Sequence, residues 1–256
     1  MRVLTEQCRA LYEDAESIIH QWGHIMRTTR GAVWVIDVMG GSVREQQLAY
    51  VAGILHDCVR PVTEETCHAR ASAEKACSLL ESYPEFTPDE KQSIVKAIQD
   101  HRNPVAWESR VHQSVYLSDK IFEHMGAYLD FRAPVWAGEL SRTDFKGMVP
   151  LEAVIEYYTT ASSKFLTGIF PRWIQKIAEY QLQWNRTFFS ALTSNQKWAV
   201  EMAEHLVDAG MRGKEFEQIL ASFIPRGTEQ EKWAREMEKY IRGDLFTYLK
   251  SFYFNK

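Results

Sequence analysis

The sequence predicts an all-helical protein, on two observations. Apolar residues recur at three- and four-residue intervals along most of the chain, and many of the resulting segments begin with a recognisable cap. Almost no run alternates polar and apolar residues as a half-buried strand would, and there is no internal repeat or low-complexity stretch.

Taken in order, Thr5 to about Gln21 predicts an amphipathic helix with Leu4, Cys8, Leu11, Tyr12, Ala15, Ile18 and Ile19 on one side. Gly23 predicts a break or a close approach, and a second helix then runs from about His24 to Met39, ahead of the Gly40-Gly41 turn. The third starts from a capping box, Ser42 with Glu45. It turns Leu48, Val51, Ala52 and Leu55 inward, reaches His56-Asp57 at its end, and is stopped by Pro61. A fourth covers about Ala69 to Ser82, with Ala73, Ala76, Cys77 and Leu80 inward. The fifth has Thr87 as cap, Pro88 at the first helical position and Glu90 completing the box. On it Ile94, Ile98 and His101 continue one apolar stripe, and Asn103-Pro104 ends the helix.

A sixth, from about Val111 to His124, sets Val111, Val115, Asp119 and Phe122 on one face. An unpaired charge buried there would cost several kcal/mol, so Asp119 is predicted to be a ligand or an ion-pair member. Ala133 to Pro150, with Pro134, Gly138 and Gly147, reads as an irregular connector. Further helices are expected over about Leu151–Leu166, Pro171–Leu192, Asn195–Ala209, Gly213–Phe223 and Glu229–Phe254, the last opened by a Thr228/Glu231 capping box.

The length of 256 residues suits one large domain or two small ones, and the organisation expected is a domain over residues 1–130 with a helical extension over 131–256. A net charge of −4 supplies no general field for nucleic acid. The four cysteines (Cys8, Cys58, Cys67, Cys77) lack CxxC spacing and read as free thiols. With no apolar leader and no uninterrupted apolar run near the ~18 residues that span a bilayer, the chain reads as cytoplasmic, with no membrane partner. Seven of the eight histidines lie in the first half, which locates the chemistry there.

The polar groups carried inward or set at helix ends are His24, His56, Asp57, His68, His101 and Asp119. Imidazole and carboxylate are both ligands for borderline divalent metals, so these six suit two metals with Asp57 bridging, or one metal on His24, His56, Asp57 and Asp119. His20, four residues before His24, is the competing first histidine; His112, His124 and His205 read as ordinary polar or partly buried residues.

The ordered set resembles the HD superfamily of metal-dependent phosphohydrolases. The likeness runs over about residues 15–130 and is carried by His24-Ile25-Met26-Arg27, Leu55-His56-Asp57-Cys58-Val59-Arg60, His68 ahead of Ser72-Ala73-Glu74-Lys75-Ala76, Ala97-Ile98-Gln99-Asp100-His101 and Leu117-Ser118-Asp119-Lys120. Having both His68 and His101 looks like the dinuclear members, among them the bacterial dinucleoside tetraphosphate hydrolases, the cyclic dinucleotide phosphodiesterases and a few di-iron oxygenases. The sequence departs at Arg60, where the family usually has lysine, and lacks the GYP signature of the cyclic dinucleotide enzymes after His101.

The resemblance implies an HD-type helical bundle holding one or two divalent metals (Fe, Mn, Zn, Co or Ni, with Mg allowed). It implies hydrolysis of a phosphate ester or anhydride in a small nucleotide-like substrate by metal-activated water. Asp57 is then central to catalysis, with Arg60, Arg27, Arg102 and Lys120, in that order, as the cations that meet phosphoryl charge. Alternatives are a di-iron oxygenase on the same ligands and a metal-binding regulatory protein without catalysis. A homo-oligomer is compatible with all three readings, and residues 131–256 match no family signature.

Overall fold

The computed structural model describes residues 2–13, 17–60, 67–102, 105–143, 150–165 and 172–254. Among them are thirteen α-helices and no strand. The chain forms two compact units, Met1–Glu16 with His20–Lys120, and Ser17–Ile19 with Ile121–Lys256. Among the described residues, no helix is long and apolar enough to cross a membrane.

The first unit contains α1 (Arg2–Ala10), α2 (Trp22–Val38), α3 (Val43–Leu55), α4 (His68–Leu80), α5 (Pro88–Gln99) and α6 (Arg110–Ser118). Both capping boxes expected in this unit form. The Ser42 N–H donates to Glu45 Oε2 at 2.7 Å while the Glu45 N–H returns to Ser42 Oγ at 3.2 Å, and Thr87 with Glu90 repeats the arrangement at α5. The inward stripes then meet. Leu48, Val51, Ala52 and Leu55 of α3 bury with Ala73, Ala76 and Leu80 of α4, Ile94 and Ile98 of α5, and Val111 and Val115 of α6. α2 packs mainly on α3 and α6, and α4 on α5.

Several expectations are corrected. α1 closes at Ala10, where Leu11 and Tyr12 make three-residue turns onto the carbonyls of Cys8 and Arg9 at 3.0 Å. Tyr12 then donates its hydroxyl to the Ile54 carbonyl at 2.9 Å. Ile18 and Ile19 are buried in a separate 3-10 turn, and Ala15 lies outside the described residues. The break expected near Gly23 falls at Gln21, and Gly23 is the second residue of α2. Cys77 is exposed, because it lies at the edge of the buried face of α4, which passes through Ser72, Ala73, Ala76 and Leu80. Pro61 and the Asn103-Pro104 stop lie outside the described residues. The sixth helix breaks at Ser118 into a π-helical turn, Asp119–Glu123.

The second unit contains α7 (Gly126–Thr143), α8 (Pro150–Phe165), α9 (Arg172–Thr193), α10 (Lys197–Met211), α11 (Phe216–Ser222), α12 (Thr228–Arg242) and α13 (Asp244–Phe254). The expected connector is α7 as far as Thr143, with Pro134 and Gly138 inside it; Gly147 lies outside the described residues. Its packing explains this: a Cβ on Gly138 would lie 2.1 Å from the Val207 carbonyl oxygen, and one on Gly210 would lie 2.2 Å from that of Val135. α7 and α10 therefore touch backbone to backbone, and burial of Phe131 and Val135 offsets the helical bond that Pro134 removes. The last expected helix is two, divided at Gly243, whose φ of 87° ends α12 in the left-handed region. α12 is capped by Gly227, with Thr228 already its first helical residue, so no Thr228/Glu231 box forms.

Candidate metal centre

Five of the six candidate ligands are nearly inaccessible: His24, His56, Asp57, His101 and Asp119 are each at most 4% exposed. The sixth, His68, keeps 21% of its side chain in solvent. α2 supplies His24, the C-terminal end of α3 supplies His56 and Asp57, the first residue of α4 is His68, the turn after α5 holds His101, and the end of α6 holds Asp119.

What lets α2 and α3 come together is Gly53, whose absent Cβ would stand 2.8 Å from both Cα and Oγ1 of Thr29. One turn beyond, His56 Nε2 and His24 Nε2 are 3.3 Å apart. His56 Nδ1 lies 2.7 Å from the Gly53 carbonyl and His101 Nδ1 lies 2.6 Å from the Ile98 carbonyl. Each Nδ1 therefore carries the proton, which leaves the Nε2 lone pair aimed inward as a metal requires. Two further ties fix the frame. Ser118 Oγ donates to the Thr28 carbonyl at 2.7 Å, holding α6 to α2, and Ser72 Oγ bonds both the N–H and the carbonyl of Val59, at 3.0 and 3.2 Å.

Asp57 stands at the middle. Its Oδ2 is 3.6 Å from His24 Nε2 and 3.8 Å from His56 Nε2; its Oδ1 is 3.4 Å from both His68 Nε2 and His101 Nε2. Two three-residue groups thus share this carboxylate, His24/His56/Asp57 and Asp57/His68/His101, with the ligand atoms of each group within 4.8 Å of one another. Asp119 Oδ1 approaches from the His24 side at 3.9 Å. Although buried, Asp57 Oδ1 has no hydrogen-bond partner among the described residues. An orphaned carboxylate oxygen faced by two imidazole nitrogens fits a divalent cation, so the donor set and its geometry both suit the group.

The electrostatics agree. Burial lowers His56 to about 3 and His68 to about 4, so both imidazoles are neutral near pH 7. Burial alone would raise the Asp57 carboxyl, but the Arg60 guanidinium, 2.6 Å from Oδ2, outweighs it and the group sits well below the usual carboxylate range. Lys120 pairs with Asp119 Oδ2 at 2.6 Å in the same way.

The other named cations fall differently. Arg102 is exposed, with Nη1 3.6 Å from Cys67 Sγ, and its charge is felt at His68 along with that of Arg60. Arg27 is buried on α2, one turn beyond His24. His20 stacks edge-on against His24 at 5.5 Å between ring centroids. Sequence reasoning passed over Gly53, Ser72 and Ser118. Of these, only Gly53 carried a signal, as a glycine inside an apolar helix. His112, expected to be an ordinary polar or partly buried histidine, is 1% exposed and lies 3.0 Å from Asp100.

Residues 22–126 match the model of the HD domain. No curated protein matches the chain. Among solved structures, a predicted HD superfamily hydrolase from an uncultured Thermotogales bacterium is similar at 22% identity over 64% of this chain and 87% of its own, with a TM-score of 0.46.

Proposed function

We propose that the protein is a metal-dependent phosphohydrolase acting on a small, nucleotide-like phosphate ester or anhydride, with His24, His56, Asp57, His68, His101 and Asp119 as its metal ligands. The observation that carries this reading is the charge balance of the cluster. Asp57 and Asp119 are already paired with Arg60 and Lys120 at 2.6 Å, while His56 and His68 are neutral near pH 7. Each divalent ion added therefore brings uncompensated positive charge, and a centre of that sign in a mostly buried setting selects an anion. Bound metal supplies Lewis acidity toward phosphoryl oxygens and lowers the pKa of water to near neutrality.

The chain's own residues do the rest. The backbone carbonyls of Gly53 and Ile98 hold the Nδ1 protons of His56 and His101, fixing which nitrogen faces inward. The most open side is at His68, where Arg60 is 33% exposed and Arg102 lies in solvent. Those two guanidiniums are the first to meet an arriving phosphate and to oppose the charge that grows on its oxygens. Lys120, paired with Asp119, acts from behind the ligands, and Arg27 is buried on the helix that carries His24.

The test is elemental analysis of protein purified without chelator, alongside hydrolysis of bis(p-nitrophenyl) phosphate with added manganese. Two metal equivalents and turnover are expected for the wild type. In Asp57→Ala both metals and activity are lost while the helical circular dichroism remains. Full turnover in Asp57→Ala would sink the proposal.

A further inference from the structure

His101 stands just past the end of α5, in a turn, so the hydrogen-bond ladder of a helix does not hold it from both sides. What holds the turn is its neighbour Asp100. The Asp100 N–H closes on the Lys96 carbonyl at 3.1 Å, and its carboxylate Oδ2 lies 2.9 Å from Lys96 Nζ and 3.0 Å from His112 Nε2. Lys96 is 37% exposed, so its pull is screened by solvent. His112 is buried and is the rigid partner.

The backbone of His112 is held by the α6 cap, its N–H donating to Ser109 Oγ at 3.1 Å, and Ser109 Oγ in turn lies 3.2 Å from Ser93 Oγ on α5. The ring itself is held at both nitrogens, Nε2 by Asp100. The Glu108 N–H donates to its Nδ1 at 3.2 Å. With Nδ1 accepting, the neutral ring carries its proton on Nε2, toward Asp100. A ring with a set tautomer thus spans from the first turn of α6 to the end of α5, beside the residue that presents His101.

We propose that His112 is a positioning residue: by bracing Asp100 it fixes the turn that presents His101, and so sets the affinity of the Asp57/His68/His101 half of the centre for its metal. This rests on reading that half as a metal site. The role differs from ligation, since His112 Nε2 faces Asp100 Oδ2 at 3.0 Å, a buried contact close in distance though without the alignment of a hydrogen bond.

The experiment is manganese titration of metal-free full-length protein by calorimetry and by electron paramagnetic resonance, comparing wild type, His101→Ala, His112→Ala and His112→Gln. In the wild type two equivalents bind and a spin-coupled manganese pair appears; His101→Ala identifies which binding step belongs to this half. His112→Ala weakens that same step about 10- to 100-fold, the scale of losing a group that orients a ligand, and leaves the other step unchanged. His112→Gln, which keeps an N–H donor near the position of Nε2, restores most of the affinity, which a loss of packing alone would not predict. An unchanged step in His112→Ala overturns the proposal. If His112→Ala does not fold, Asp100→Asn weakens the same contact from the other side, and an unchanged step there overturns it equally. A wild type that takes up fewer than two equivalents overturns the two-metal reading itself, and the proposal falls with it.

Discussion

At Gly53 the absence of one methyl group sets how closely the two helices that carry the proposed ligands His24 and His56 approach. A Cβ there would stand 2.8 Å from backbone as well as side chain of Thr29, so the clash cannot be relieved by a rotamer change. Gly53→Ala must instead move α2 against α3, at a cost of about 1–3 kcal/mol for overpacking a well-filled contact. Because His24 and His56 sit on those helices with their Nε2 atoms 3.3 Å apart, bound metal should fall along with the melting temperature. Calorimetry and elemental analysis of Gly53→Ala check both; a variant that matches the wild type in each would show that the contact is looser than drawn. His101 and Asp119 were legible as inward polar residues because each continues an apolar stripe, and His56-Asp57 because the pair ends an apolar helix. Gly53 was not, because its part is a contact with a helix that sequence spacing does not place beside it.

Elements repeat the pattern. The starts of α3 and α5 follow from four consecutive residues each, since a capping box satisfies backbone N–H groups locally. α7 shows the opposite case. Pro134 and Gly138 argue for irregular chain, yet the helix runs through both because Gly138 and Gly210 bring its backbone against α10. Gly138→Ala and Gly210→Ala should each cost about 1–3 kcal/mol or more, since the atoms struck are backbone carbonyl oxygens 2.1 and 2.2 Å from the added Cβ. Thermal unfolding of the two variants decides: wild-type stability in both would remove this contact as the reason that α7 is helical. The π-helical turn Asp119–Glu123 belongs at this scale too. It begins at a proposed ligand, and such wide turns recur at functional sites because they re-aim side chains that a regular helix would carry elsewhere.

On the scale of the whole molecule, the second unit contains a buried polar network of its own. Asp130 on α7 is fully buried and accepts hydrogen bonds from Tyr158 at 2.5 Å, Asn185 at 2.7 Å and Trp233 at 2.7 Å, with no cation among them. Burial raises its carboxyl to about 7 against the three donors, which pull it down. The folded state therefore binds this proton more tightly than the unfolded chain does, whose carboxyl titrates at about 3.9. The stabilisation is complete below about pH 4 and is lost as pH rises toward 7, amounting to about 2–4 kcal/mol over that window. Asp130→Asn cannot titrate, so the melting temperature of the variant minus that of the wild type should rise with pH across the same range. A flat difference would mean that Asp130 stays ionised when folded.

The sequence by itself determined that the protein is helical, where its best-marked helices begin, most of the positions that face inward, and which histidines and aspartates the fold gathers. Those properties arise from residues within a few positions of one another, through helical periodicity, capping and the cost of burying charge. Only the tertiary structure decided that Asp57 Oδ1 and Oδ2 face separate groups of histidines, that Arg60 and Lys120 neutralise the two carboxylates, and that His112 stands against Asp100. It also decided that the supposed connector is helical as far as Thr143. Each depends on the distance between helices far apart in the chain, and that distance is set by the side chains, or their absence at Gly53, Gly138 and Gly210, at the crossing points.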